Sequence, residues 1–186
     1  MIHKSVLCML ALLVLSCQHE NPSSPSALFN YFPLAVGNEW VYSTVNDTSY
    51  RDTTKIFDQV MVGKQTYYTY GSQPEHSLLL RRDSQGRICL RVNDKDRIYF
   101  DFTVGDGEAY RFKGFAGDED FGYVVTVRKH LAVKTLAGQF ENCVDLSFDS
   151  PYAVDDEFGY VFAPDVGIVE KHGAWIGGIL FAYVLN

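Results

Sequence analysis

The chain has 186 residues, 47% of them hydrophobic and 15% aromatic, with 16 basic side chains against 23 acidic ones for a net charge of −7. An acidic balance of this kind lacks the clustered Lys and Arg that nucleic-acid phosphates require, which excludes nucleic-acid binding. The length suffices for one domain with a proper hydrophobic core.

In chain order, Met1 to Lys4 carries one firm positive charge, Lys4, and Ser5 to Leu15 is an apolar run. A membrane-spanning helix needs about 20 apolar residues, so this run is too short to cross and has the length of a secretory signal core. Val14-Leu15-Ser16-Cys17 follows, and it resembles the lipobox of bacterial lipoproteins. That resemblance implies cleavage before Cys17, a thioether from the Cys17 thiol to diacylglycerol, and acylation of the new amine. Each buried CH₂ contributes about 0.8 kcal/mol and one acyl chain holds only marginally, whereas three chains anchor firmly. Gln18 stands where an Asp would mark inner-membrane retention in Gram-negative lipoproteins, which implies sorting to the outer membrane. Residues 1–16 are therefore expected to be a signal peptide. Residues 17–27, including the Pro- and Ser-rich NPSSPSA, are expected to be a lipidated cysteine and its extended tether.

Residues 28–186 read as a single all-β domain. Period-two alternation with β-branched and aromatic residues predicts strands at 39–45, 51–60, 64–70, 76–82, 86–92, 97–102, 109–115, 123–133, 139–148, 160–163, 167–172 and 174–185. Asp83-Ser84-Gln85-Gly86 and Asn93-Asp94-Lys95-Asp96 carry hairpin-turn chemistry. No window shows a helical stripe. Roughly ten short antiparallel strands predict a strongly curved sheet, a partly open barrel or a sandwich. A small transmembrane barrel is disfavoured, because the aromatic girdles are missing and the strands are short and interrupted. The last strand is apolar on both faces, so one face belongs to the core. The other needs cover, either from the aromatic segment FNYFPLAV (29–36) or from a ligand.

Three segments carry a family resemblance. Tyr31-Phe32-Pro33-Leu34-Ala35-Val36-Gly37-Asn38-Glu39-Trp40-Val41-Tyr42 resembles the opening Y-F-P-L-x-x-G-N-x-W-x-Y of an uncharacterised family of Gram-negative bacterial lipoproteins. Leu136 to Cys143 is similar to that family's A-G-x-F-x-N-C segment, and Ala163 to Val169 to its P-x-V-G-hydrophobic-V segment. The resemblance spans nearly the whole mature chain and implies a fold like the half-barrel lipid carriers and sensors of the bacterial envelope. Fold of itself supplies no function. Read from the residues alone, Gly37-Asn38 suits a tight turn into the first strand. Trp40 and Tyr42 share a face, Gly138 marks a hairpin, and Gly167 marks a bulge or a close backbone approach.

Of the four cysteines, Cys8 leaves with the signal and Cys17 is the tether, leaving Cys89 and Cys143 in an oxidising compartment. Alternation puts both on the more polar face of their strands, where they either form a disulfide or stand as free thiols. An acidic echo precedes Phe-Gly-Tyr-Val twice, at 118–120 and 155–157, and makes Asp118, Asp120, Asp155 and Asp156 weak Ca²⁺ candidates. The spacing is not that of an EF-hand, and a solvated edge-protecting turn is the simpler reading. His76, His130 and His172 lack metal spacing, and no nucleophile elbow, phosphate loop, dinucleotide fingerprint or cofactor motif is present. The sequence thus predicts a non-enzymatic, lipid-anchored envelope protein. Two roles compete. One is binding of an apolar ligand, a lipid or acyl chain, on the concave sheet face near Trp40, Tyr42, Phe100, Trp175 and Phe181. The other is contact with a protein or glycan partner of the envelope.

Overall fold

The computed structural model describes residues 29–44, 47, 49–113, 122–151, 153–173 and 177–186. The signal, Cys17 and the tether therefore lie outside the described residues.

Twelve strands follow one another: β1 (Glu39–Ser43), β2 (Asp52–Val62), β3 (Gln65–Gly71), β4 (Leu78–Arg82), β5 (Ile88–Val92), β6 (Lys95–Phe100), β7 (Ala109–Phe112), β8 (Tyr123–Thr135), β9 (Gly138–Asp149), β10 (Phe158–Ala163), β11 (Gly167–Gly173) and β12 (Gly178–Val184). Each stretch predicted from alternation overlaps one of them, several strands running one or two residues beyond it. The turn predicted at 93–96 is tighter than expected. Only Asn93 and Asp94 form it, both at positive φ (48° and 62°), while Lys95 already pairs with Val92. That geometry matches the right-handed twist of the flanking strands, and Asn and Asp tolerate it best after Gly.

All twelve strands belong to one antiparallel sheet in the order β6-β5-β4-β3-β2-β1-β12-β11-β10-β9-β8-β7, so the first and last strands are neighbours in its middle. The sheet curls into a barrel with one unsealed seam between β6 and β7. Across that seam the Tyr110 hydroxyl donates to the Tyr99 carbonyl (2.7 Å) and accepts from the Asp101 N–H (3.2 Å).

The interior is filled by rings. Phe32 stacks on Trp40 at 5.6 Å between centroids and meets Tyr70, Phe100 and Phe162 edge-on, and Phe148 stacks on Phe158 at 4.7 Å. Such pairs each add about 0.5–1.5 kcal/mol beyond the area they bury. The segment 29–36 does not cover the outer face of β12, as one sequence reading had it. It lies across the end of the barrel and drops Phe32 into the core. On the outer side of β12 it is the Arg51 guanidinium that lies over Phe181, 3.7 Å from the ring centroid.

Candidate functional site

The three segments that carry the family resemblance meet at one end of the barrel. β11 and β12 pair only through Glu170–Ile179 and Lys171–Gly178, and beyond that point the two strands diverge. Side chains of β1 cap the carbonyls left on the β11 side: Trp40 Nε1 donates to Val166 O (2.7 Å) and Tyr42 Oη to Ile168 O (3.0 Å). Gly167, at φ +104°, allows this approach, since a Cβ there would sit 2.9 Å from Trp40 Nε1. Of the two sequence readings of Gly167, close backbone approach is the one the structure realises. On the other side of the split, the β8–β9 hairpin reaches across so that Ala137 N–H bonds Leu180 O (3.0 Å).

The entering segment is pinned at several points. Asp165 N–H donates to Asn30 O, and Asn30 N–H returns a bond to the Asp165 carboxylate. The Tyr31 hydroxyl donates to Asn142 O (3.0 Å), and Asn38 Nδ2 donates to Pro33 O. Asn142 has φ +55°, so the Asn of the F-x-N-C segment supplies a left-handed residue and turns its carbonyl to Tyr31. The Arg82 guanidinium clamps the same segment through Asn30 Oδ1 and Phe32 O.

Beside this plug opens a cleft of about 710 Å³. Phe29, Tyr31 and Phe102 form an aromatic wall, with Tyr31 and Phe102 centroids 5.1 Å apart. Lys129 and His130 line the same cleft. They are the extra residues of a bulge in β8, where the register with β9 slips between Arg128 and Leu131. His130 is exposed at φ +58°, an uncommon conformation for a non-glycine residue and one that concentrates at functional sites. The bulge is clamped by Lys129 N–H to Asp106 Oδ1 (2.7 Å) and Lys129 Nζ to Phe102 O (3.0 Å). Period-two alternation gives no sign of this bulge.

The residues proposed for a concave groove fall elsewhere. Trp40, Tyr42 and Phe100 are buried in the packed core, and Phe181 is on the outer face beneath Arg51. Trp175 lies outside the described residues. A period-two pattern identifies the face of a strand; it does not say whether that face meets a ligand or another ring.

At the opposite end of the lumen, Lys171 pairs with Asp52 (2.8 Å) and sits 3.8 Å over the Tyr42 ring. Burial lowers the Lys171 pKa, opposed by the Asp52 carboxylate, and burial raises those of Tyr42 and Tyr70.

On the outer face, Asp145 is 1% exposed and gathers His172 Nε2 (2.8 Å), the Arg128 guanidinium (2.5 Å) and Ser147 Oγ (3.1 Å). Burial alone would raise the carboxyl pKa, but the bonds from His172 and Arg128 outweigh it and hold it below the ordinary value. The bond to Asp145 in turn raises His172 above 6.5. A cavity of about 360 Å³ adjoins this group, lined by His172, Ser147, Asp155 and Glu157 among others.

Cys89 and Cys143 are both free and buried. Cys143 belongs to the core cluster and Cys89 does not, so the shared polar face inferred from alternation is not what the sheet provides. The bulge at Asn142 turns Cys143 inward, while Cys89 stays opposite Arg81. Of the acidic residues, Asp118 and Asp120 lie outside the described residues. Asp155 and Asp156 sit in the β9–β10 loop, and one carboxylate oxygen of Asp156 is buried without a hydrogen-bond partner among the described residues. Among those residues no group of three or more His, Cys, Asp or Glu is placed to hold a metal ion.

No protein-family model matches the chain, and no curated protein matches it. Two solved structures are similar in strand arrangement. One is a candidate lipoprotein from Parabacteroides distasonis ATCC 8503, with 12% identity over 84% of this chain and 99% of that one and a TM-score of 0.40. The other is a candidate exported protein with a YmcC-like fold from Bacteroides fragilis NCTC 9343, with 15% identity over the same shares and a TM-score of 0.39. Likeness at this level carries no function across.

Proposed function

We propose that the chain is a non-catalytic envelope lipoprotein of the outer membrane, held through Cys17, that binds an amphipathic ligand with an acyl or other apolar portion and an anionic head. The observation that carries this reading is the cleft at the plugged end of the barrel. Its wall of Phe29, Tyr31 and Phe102 offers apolar contact, Lys129 offers positive charge beside it, and the His130 ring nitrogens offer hydrogen bonds. Pockets of a few hundred to about 1,000 Å³ with an apolar lining and a few convergent polar groups are the usual form of small-ligand sites. This proposal keeps the lipid or acyl ligand expected from sequence, adds an anionic head to it, and sets it at the barrel mouth in place of the packed lumen.

The test is displacement of a fluorescent fatty acid from the mature-length chain. Saturable binding that weakens roughly tenfold in Phe29→Ala and in Lys129→Gln, each removing on the order of 1.4 kcal/mol, is the expected result. Binding unchanged in both variants would move the site elsewhere, and no saturable binding would leave contact with a protein or glycan partner as the role.

A further inference from the structure

The plugged end is also where apolar side chains reach solvent. Among the described residues, six of the ten exposed large apolar side chains cluster there: Phe29, Val36, Leu136, Tyr183, Val184 and Leu185. They come from separate stretches that the fold ties into one rim. Ala137, beside Leu136, bonds Leu180 of β12. Asn186 Nδ2 donates to Val36 O (3.4 Å), and its N–H donates to Asn38 Oδ1 (2.8 Å). The Phe140 ring, from the arm of the hairpin, lies 6.4 Å from that of Tyr183. Lys134 is exposed two residues before Leu136, where its stem can lie along the apolar rim while the ammonium reaches a phosphate.

We infer that this rim is a membrane-docking surface, seated in the interfacial layer of the bilayer that holds the acyl chains of Cys17. The inference rests on the lipid-anchor reading proposed above. Phe29 follows Cys17 by 12 residues, a length that spans at most about 40 Å when fully extended. The chain from the anchor thus enters the domain at the end of the barrel that bears the rim, and the β9–β10 loop with Val154 lies at the far end. Amphipathic surfaces of this kind settle about 5–10 Å into the boundary between headgroups and acyl chains. Docking in this pose also turns the mouth of the Phe29–Phe102 cleft towards the source of an amphipathic ligand.

The experiment uses the full lipidated chain purified from membranes and reconstituted into phosphatidylethanolamine–phosphatidylglycerol vesicles, with part of the lipid brominated in its acyl chains. A bimane label is placed singly at Leu136→Cys, Val184→Cys and, as the distal control, Val154→Cys. The expected result is loss of bimane fluorescence to the brominated lipid at 136 and 184 and none at 154. Vesicles that float with the protein while neither rim label is quenched would overturn the docking inference and leave the anchor standing. A blue shift at the rim without quenching would overturn it in favour of a covering protein, a second copy of the chain being the first to test by cross-linking. Protein that fails to float with the vesicles would remove the anchor and the inference together.

Discussion

Replacing Gly167 by alanine tests whether the split between β11 and β12 is held by the Trp40 indole. Gly167 has φ +104°, and its added Cβ would lie 2.9 Å from Trp40 Nε1 and 3.1 Å from two further ring atoms. The backbone conformation alone costs a non-glycine residue about 1–3 kcal/mol. If the fully buried indole is displaced from Val166 O, its orphaned N–H adds about 1–3 kcal/mol. The expected loss is therefore about 2–6 kcal/mol, out of a total of roughly 5–15 kcal/mol for a domain of this kind. At about 2–4 °C per kcal/mol, the melting temperature falls by roughly 4–24 °C. Gly86→Ala is the matched control, because Gly86 has φ +84° but nothing within 4 Å of the new Cβ. Urea unfolding of both variants by circular dichroism isolates the collision from the backbone term. Equal destabilisation of Gly167→Ala and Gly86→Ala would refute the reasoning, since both would then report φ alone. A cycle with Trp40→Phe closes the test: its coupling energy to Gly167→Ala is expected to have the sign of relief.

Three further outcomes follow from the charged and thiol groups. The Asp145–His172 contact stabilises the fold between the two unfolded-state values, about 3.9 and about 6.5. Asp145, with its pKa lowered, contributes above the first and loses that contribution as pH falls through its folded value. His172, with its pKa raised, contributes below the second and loses it as pH rises through its folded value. The wild-type advantage over His172→Gln, read from urea midpoints between pH 5 and 9, should shrink on the alkaline side, and a flat difference would contradict the pairing. At the other end of the lumen, Asp52→Ala strands the buried Lys171 ammonium and is expected to cost about 2–3 kcal/mol, below the usual range for a buried pair because Asp52 is 37% exposed. Lys171→Met in that background should recover most of it, and failure to recover would assign the loss to something other than the orphaned charge. Burial pushes the Cys143 thiol up to about 11 and raises that of Cys89, so in mature chain carrying Cys17→Ser both thiols should react slowly with a thiol reagent. Both should react promptly in guanidinium without reductant, and their failure to do so would mean that they are bonded.

The elements were legible in the sequence and their assembly was not. Alternation in stretches such as Tyr123–Thr135 and Gly138–Asp149 locates strands because an antiparallel sheet with a filled interior demands period two. The bulges at Lys129–His130 and Asn142 interrupt that period without any Gly or Pro to mark them. For that reason the alternation put Cys143 on the wrong face and gave no sign of the break at His130, which is exposed all the same. The motif around Trp40 announced a constraint, but its partner is Gly167, far along the chain, and the reason for both residues appears only when β11 and β12 part. The Asp145 group draws on β8, β9 and β11, so no local spacing betrays it. The cleft was invisible for the same reason: its aromatic wall and its polar side chains come from the entering segment, the loop after β6 and the β8 bulge.

The pairing of β1 with β12, Glu39 opposite Val184, sets a condition on how the protein is made. The two strands at the centre of the sheet are the first and the last of the domain to emerge from the ribosome, so the chain must be complete before the barrel can close. Pairing across so long a separation is slow, because loop closure is required before any contact rewards it. During that interval the alternating apolar strands and their unpaired edges are exposed to self-association. On the lipid-anchor reading proposed above, the chain would spend that interval concentrated at a membrane surface, and a holding chaperone or prompt arrival of the last strand would then become part of its practical stability.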